Sequence, residues 1–310
     1  MALIGLHDSE RDHMPRKTFP NFALMKIAAY WRRQGAEVEW WTPLNNENYS
    51  RVYSSKVFSF TPENPYLPPY ITERGGTGYG LDNIFGKAKL PPEIDKMPCD
   101  YSIYPSCDYA VGFLTRGCPN KCDFCVAWRK EGSIKPYAKW QDIVRPDSKK
   151  LILMDNNILS CEHGINQLAE LSETDFKLDA NQGLDITLLN EDIVKILAKI
   201  KWIEYIRFSC DKDYQLPYFE RMTELFREYK IALSRVFIYV LVRENLQNAD
   251  FRVQSLNKIY RSFNIYAQAE RGEKTEPSRA MLEFANRYVY GKRYKLENWV
   301  EYCERTGFKG

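Results

Sequence analysis

Three cysteines, Cys118, Cys122 and Cys125, lie at C-x₃-C-x₂-C spacing in the run Leu114-Thr115-Arg116-Gly117-Cys118-Pro119-Asn120-Lys121-Cys122-Asp123-Phe124-Cys125. Thiolates are soft ligands that select zinc or iron–sulfur clusters. At this spacing, three of them on one loop can converge on a compact centre. A structural zinc wants four closed ligands, usually as two pairs, yet no histidine stands within thirty residues of the trio. An iron–sulfur cubane held by three cysteines leaves one iron without a protein ligand. A small molecule can bind that open iron and be reduced there. The alternative is a non-enzymatic zinc- or iron–sulfur-binding module, its fourth ligand a distant cysteine such as Cys99 or Cys107.

The flanking sequence says what must hold such a loop. From about Tyr109 the pattern becomes regular, with strands expected at Val111–Thr115, Leu151–Met154, Lys177–Ala180, Tyr205–Ser209, Val236–Val242 and Phe263–Ala267. Helical patterns fill the intervals at Ile165–Leu171, Asn190–Ile200, Tyr218–Tyr229 and Arg252–Tyr260. Alternation of this kind implies parallel βαβ units with right-handed crossovers. Six units rather than eight imply an α/β fold with an open, partial (β/α)₆ TIM-like barrel. In such a barrel the working residues sit at the carboxyl ends of the strands. The first hundred residues read as a smaller Rossmann-like α/β unit: a strand at Ala2–Leu6, a helix at Asn21–Gln34, then strands at Glu37–Trp41 and Lys56–Phe60. The turn-rich stretch that follows, with its Gly75–Gly80 run, reads as a structured linker; it lacks the lysine and Ser/Thr of a phosphate-binding loop. The expected division is 1–98 for the small domain and linker, 99–275 for the barrel, and 276–310 for a helical extension.

The cysteine loop, with the aromatic Phe124 directly before the third cysteine, resembles the signature of the radical S-adenosylmethionine (SAM) superfamily. The resemblance implies a [4Fe–4S] cluster on Cys118, Cys122 and Cys125. The open iron of that cluster binds SAM and reduces it to a 5′-deoxyadenosyl radical that abstracts hydrogen from substrate. It also implies a low-potential donor, a flavodoxin or ferredoxin, and a small or medium substrate. Position along the barrel then nominates the SAM and substrate contacts. Phe124 would pack beside adenine. Asp155 and Asn156 follow the second strand, where similar enzymes bind the SAM amino group, although a Gly-Gly-Glu run is missing here. Asn181, Gln182 and Asp185 follow the third strand and suit hydroxyl or amino groups. Arg207 could meet the SAM carboxylate, with Ser209 beside it, and Leu241 marks the adenine region. Cys210, at the same rim, is the one catalytic candidate, set against the reading of a buried inert thiol. The remaining cysteines are scattered, so no auxiliary cluster is expected.

The N-terminal unit resembles a shortened cobalamin-binding domain. The Asp-x-His-x-x-Gly loop of that family is missing, so no cobalamin is expected. A formal charge of +3 does not argue for a polyanion. In the tail, Arg287, Lys292, Arg293 and Lys295 interleave with Tyr288, Tyr290, Tyr294 and Trp299, a mixture that can hold nucleic acid. Preferred to that is a terminal helix whose aromatics plug the barrel floor. The amino terminus runs straight into charge at His7-Asp8, unlike a signal peptide. No stretch approaches the roughly 20 apolar residues of a membrane span. The expected location is the cytoplasm, where eight cysteines would stay reduced.

Overall fold

The structure, a computed structural model, describes residues 1–14, 19–80, 86–87, 89–271 and 276–309. It is mixed α/β with parallel sheets and divides into two compact units, Met1–Val111 and Gly112–Gly310. The expected limit at residue 275 falls outside the described residues. No described helix is long and apolar enough to cross a membrane.

In the first unit, strands β1 (Leu3–Asp8), β2 (Glu37–Trp40), β3 (Arg51–Ser55), β4 (Thr72–Gly75) and β5 (Gly86–Lys87) form one parallel sheet in the order β2-β1-β3-β4-β5. That is one of the two common orders of doubly wound α/β sheets. The helix Phe22–Arg33 opens at Asn21, whose side chain accepts from the Leu24 amide, and packs Leu24, Met25, Ile27 and Ala28 into the core with Ile4 and Leu6.

The third strand is Arg51–Ser55, not Lys56–Phe60. Val52, Tyr53, Ser54 and Ser55 are all buried, so both faces are covered and apolar alternation does not mark it. Ser54 Oγ instead hydrogen-bonds the His7 ring at 2.8 Å and the Tyr79 hydroxyl at 2.7 Å, while the other His7 nitrogen meets Asp12 at 2.9 Å. The Val57 and Phe58 amides donate to the Glu10 carboxylate, which takes them out of any ladder. The turn-rich stretch is not a linker but supplies β4 and β5 to the sheet. Its glycines serve close packing: Gly76 has φ +97°, and a Cβ there would stand 2.3 Å from the Lys56 carbonyl oxygen.

The expected first strand of the barrel is broken into β6 (Ala110–Gly112), which straddles the limit between the units, and β7 (Thr115–Arg116); β7 pairs antiparallel with β8 (Lys135–Pro136). Strands β9 (Lys150–Leu153), β10 (Lys177–Ala180) and β11 (Lys201–Trp202) make a parallel run, and the whole sheet has the order β6-β9-β10-β11. Strands β12 (Ile206–Ser209), β13 (Val236–Val242) and β14 (Asn264–Ala269) form a second parallel sheet. A parallel bridge between Leu184 and Phe208, with the Leu184 amide donating to the Arg207 carbonyl at 2.7 Å, links the chain after β10 to β12. Among the described residues, no ladder joins β14 to β6.

Helices Glu162–Ser172, Glu191–Lys199, Leu216–Glu228 and Leu246–Ile259 alternate with these strands. Phe219 and Phe226 pack on Phe208. The helical extension expected at 276–310 begins as α-helix at Arg279–Glu283 and widens to a π-helical segment at Phe284–Val289.

Candidate functional site

The break between β6 and β7 has a visible cause. Asp155, just beyond β9, is buried, and its carboxylate accepts from the Leu114 amide at 3.1 Å and from the Thr115 amide and hydroxyl at 2.5 and 2.7 Å. The main chain entering the cysteine loop is thus bonded to a side chain where strand pairing would otherwise continue. Burial pushes the Asp155 carboxyl up to about 6 despite these donors.

The loop itself is held at several points. Gly117 has φ +90°, and a Cβ there would lie 2.4 Å from the Ser133 carbonyl oxygen, so the residue before Cys118 has to be glycine. Cys118 donates its amide to Gly132, Cys125 donates its amide to Cys122, and Trp128 Nε1 donates to the Cys122 carbonyl at 2.9 Å. Arg116 makes a two-pronged pair with Glu131. At the far side, Arg243 just past β13 reaches Asp123 at 2.9 Å and Glu270, just past β14, at 2.7 Å. The loop between Cys122 and Cys125 is therefore tied to the carboxyl ends of the last two strands.

Cys118, Cys122 and Cys125 are all half-buried. Burial pushes the Cys118 and Cys122 thiols up, and the neighbouring Cys125 adds to this. Taking up a metal must release their protons. Among the described residues no three Cys, His, Asp or Glu side chains are gathered as a ready-made metal-binding group. The donor set still suits a three-thiolate centre, and a second observation bears on what would bind beside it. Asn157 is 3% exposed. Its Nδ2 donates to Asp185 Oδ2 at 3.1 Å, and its Oδ1 is buried with no hydrogen-bond partner. Asn120, inside the cysteine loop, donates to the same Asp185 oxygen at 3.1 Å. An orphaned buried carbonyl next to Cys118 is costly unless a donor meets it.

The other nominated residues fall as follows. Asp155 takes its hydrogen bonds from the main chain, as described, and Asn156 is half-buried beside it. Asn181 gives its carbonyl to the Tyr239 hydroxyl at 3.2 Å, Gln182 is exposed, and Asp185 joins the cysteine loop to Asn157. Arg207 is committed to a two-pronged pair with Asp179 at 2.7 and 2.9 Å, leaving no open fork for a ligand carboxylate. Ser209 and Leu241 are half-buried, and the Leu241 amide donates to Asp211 at 3.0 Å. Phe124 is half-buried. Cys210 is fully buried, and burial pushes its thiol up to about 12, the behaviour of an inert core thiol. Asn157 was not nominated from the sequence. It was one residue from the pair that was, and nothing in a linear run of Asp-Asn-Asn tells which side chain keeps an unpaired oxygen.

In the tail, Tyr288, Tyr294 and Trp299 are buried and Tyr290 is exposed. Trp299 packs against Phe284, Tyr288 and Tyr302. No model of a known protein family matches the chain, and no curated protein matches it.

Proposed function

We propose that this chain is a radical SAM enzyme built on a partial (β/α)₆ barrel, with Cys118, Cys122 and Cys125 holding a [4Fe–4S] cluster. The observation that carries the reading is the unpartnered Asn157 carbonyl oxygen beside a pinned loop of three thiols. The succession β6, β9, β10, β12, β13, β14, bridged at Leu184–Phe208, supports the partial barrel. When bound, the cluster supplies the electron that cleaves SAM and so starts hydrogen abstraction from a substrate.

The chain's own groups have separate roles. Gly117 and Asp155 fix where the loop leaves the sheet. Asp185 sets the spacing between Asn120 and Asn157. Asn157 offers its oxygen to a ligand ammonium group, and Phe124 shields the cluster side from water. A low-potential flavodoxin or ferredoxin is the partner this chemistry needs, and the cytoplasm is the location that keeps the thiols reduced.

The test is anaerobic reconstitution with iron and sulfide, followed by EPR of the reduced protein with and without SAM. A [4Fe–4S]⁺ signal that changes shape on adding SAM supports the reading, and Cys122→Ala should lose both signal and SAM cleavage. A cluster indifferent to SAM, or one bound zinc, would leave the metal-binding module as the reading.

A further inference from the structure

The sheet β12-β13-β14 has two unlike faces. On one, Ile206, Phe208, Val236, Ile238, Val240, Val242, Ile265 and Ala267 are buried, and Phe219 and Phe226 pack on Phe208. The register puts the alternate residues on the other face in three rows. Arg207 lies level with Phe237, Ser209 with Tyr239 and Tyr266, and Leu241 with Gln268. Parallel sheets are ordinarily buried on both faces, and barrel interiors are ordinarily filled with branched aliphatic side chains. Here Tyr266 is 39% exposed, Gln268 is exposed, and Phe237, Tyr239 and Leu241 are half-buried.

The rings on this face are locked by one another. Phe237 stacks on Tyr266 with centroids 6.1 Å apart and meets Tyr239 edge-on at 5.1 Å; the Tyr239 hydroxyl is further fixed by the Asn181 carbonyl. A rigid, part-exposed aromatic wall is a surface on which a planar ring stacks without an ordering cost. The wall's one cation, Arg207, is neutralised by Asp179, and Arg243 at its upper end is held by Asp123 and Glu270. An anionic group would find no open fork here. The Gln268 carboxamide, by contrast, carries both donors and acceptor, the set that reads the edge of a base. The upper row borders Arg243, which touches the cysteine loop at Asp123.

We propose that this wall binds an uncharged nucleobase-type ring, stacked on Tyr266 and read at its edge by Gln268, and that it holds the substrate's ring beside the cysteine loop. That the ring belongs to the substrate rests on the radical SAM reading; its binding to the wall does not. The experiment is calorimetric titration of guanosine, uridine, cytidine and thymidine into the full chain, with and without reconstituted cluster and without SAM. Adenosine stays out of the panel because SAM carries it. At least one nucleoside should bind in the millimolar range or tighter. Tyr266→Ala should weaken it about tenfold, a typical cost for one lost base–aromatic stack. Tyr266→Phe should bind as wild type, and Tyr290→Ala, on the tail, should change nothing. Gln268→Ala should alter which base is preferred; being at an exposed position, it also decides the matter if Tyr266→Ala fails to fold. Four nucleosides that do not bind at millimolar concentration, or binding indifferent to both Tyr266→Ala and Gln268→Ala, would overturn the proposal. Base binding with an EPR signal blind to SAM keeps the wall and removes the radical reading; the opposite pair of results does the reverse.

Discussion

Asp155 accepts both the amide and the hydroxyl hydrogen of Thr115, forty residues earlier in the chain, and so holds the main chain just before the cysteine loop. With the Leu114 amide also bonded to it, this carboxylate takes the place of a ladder partner for the chain just beyond β6. Removing it strands three buried donors. Asp155→Ala should therefore lower unfolding free energy by about 3 kcal/mol, read from urea denaturation, since each unsatisfied buried donor costs on the order of 1 kcal/mol or more. A loss within error would mean that water replaces the carboxylate.

The same residue gives a pH signature. Its folded-state pKa is raised from 3.8 to about 6, so in that interval the folded state binds the proton more tightly than the unfolded chain. Stability from this group is present below pH 4 and falls as pH rises to about 6. The stability difference between wild type and Asp155→Asn should drift in that direction across the window and level off above it. A flat difference would show that the carboxyl titrates as in the unfolded chain.

Asn157→Leu keeps the side-chain volume and deletes the unpartnered oxygen. Melting temperature should fall only modestly, because the side chain gives up two hydrogen bonds, to Asp185 and to Cys118. The SAM concentration needed for the EPR change should rise about tenfold, the worth of one hydrogen bond to a charged donor. An unchanged SAM titration would remove Asn157 from the site.

Arg207 and Asp179 are a largely buried pair whose side chains are 14% and 9% exposed. Breaking it from one side leaves an uncompensated charge, so Arg207→Met should cost about 3–5 kcal/mol. Adding Asp179→Leu should recover most of that, because the second substitution removes the stranded charge. Equal losses in the single and double variants would mean the cost is packing against Tyr205 and Phe237 rather than charge.

Trp299 sits among Phe284, Tyr288 and Tyr302 in the tail. Trp299→Ala should destabilise by about 3–5 kcal/mol, as large-to-small changes in packed cores do. Gel-shift assays should show no salt-sensitive RNA or DNA binding that depends on Arg293 and Lys295, since three of the four tail aromatics are packed inside. Binding lost on neutralising those two would restore the nucleic-acid reading.

Much of the second unit was written in its local pattern. The alternation in β10 and the unbroken apolar run of β13 place both strands at their observed limits, Lys177–Ala180 and Val236–Val242, because both patterns are local to the strand. The cysteine spacing names the candidate donors and the loop that would present them. Where polar residues are buried, that signal fails. Ser54 and Ser55 end a strand that reads as polar, and Arg74 and Gly75 end β4 in what reads as a linker, because their partners lie on neighbouring strands and not in the local sequence. The same limit governs the site. The order Asp155-Asn156-Asn157 gives three polar side chains at one strand end. Only the tertiary structure decides that the first holds Leu114 and Thr115, that the third keeps an unpaired oxygen beside Cys118, and that Arg207 is spent on Asp179. Composition and periodicity set which residues lie on a face; which of those polar groups remain open depends on register with segments tens of residues away, and a single residue's shift would exchange them.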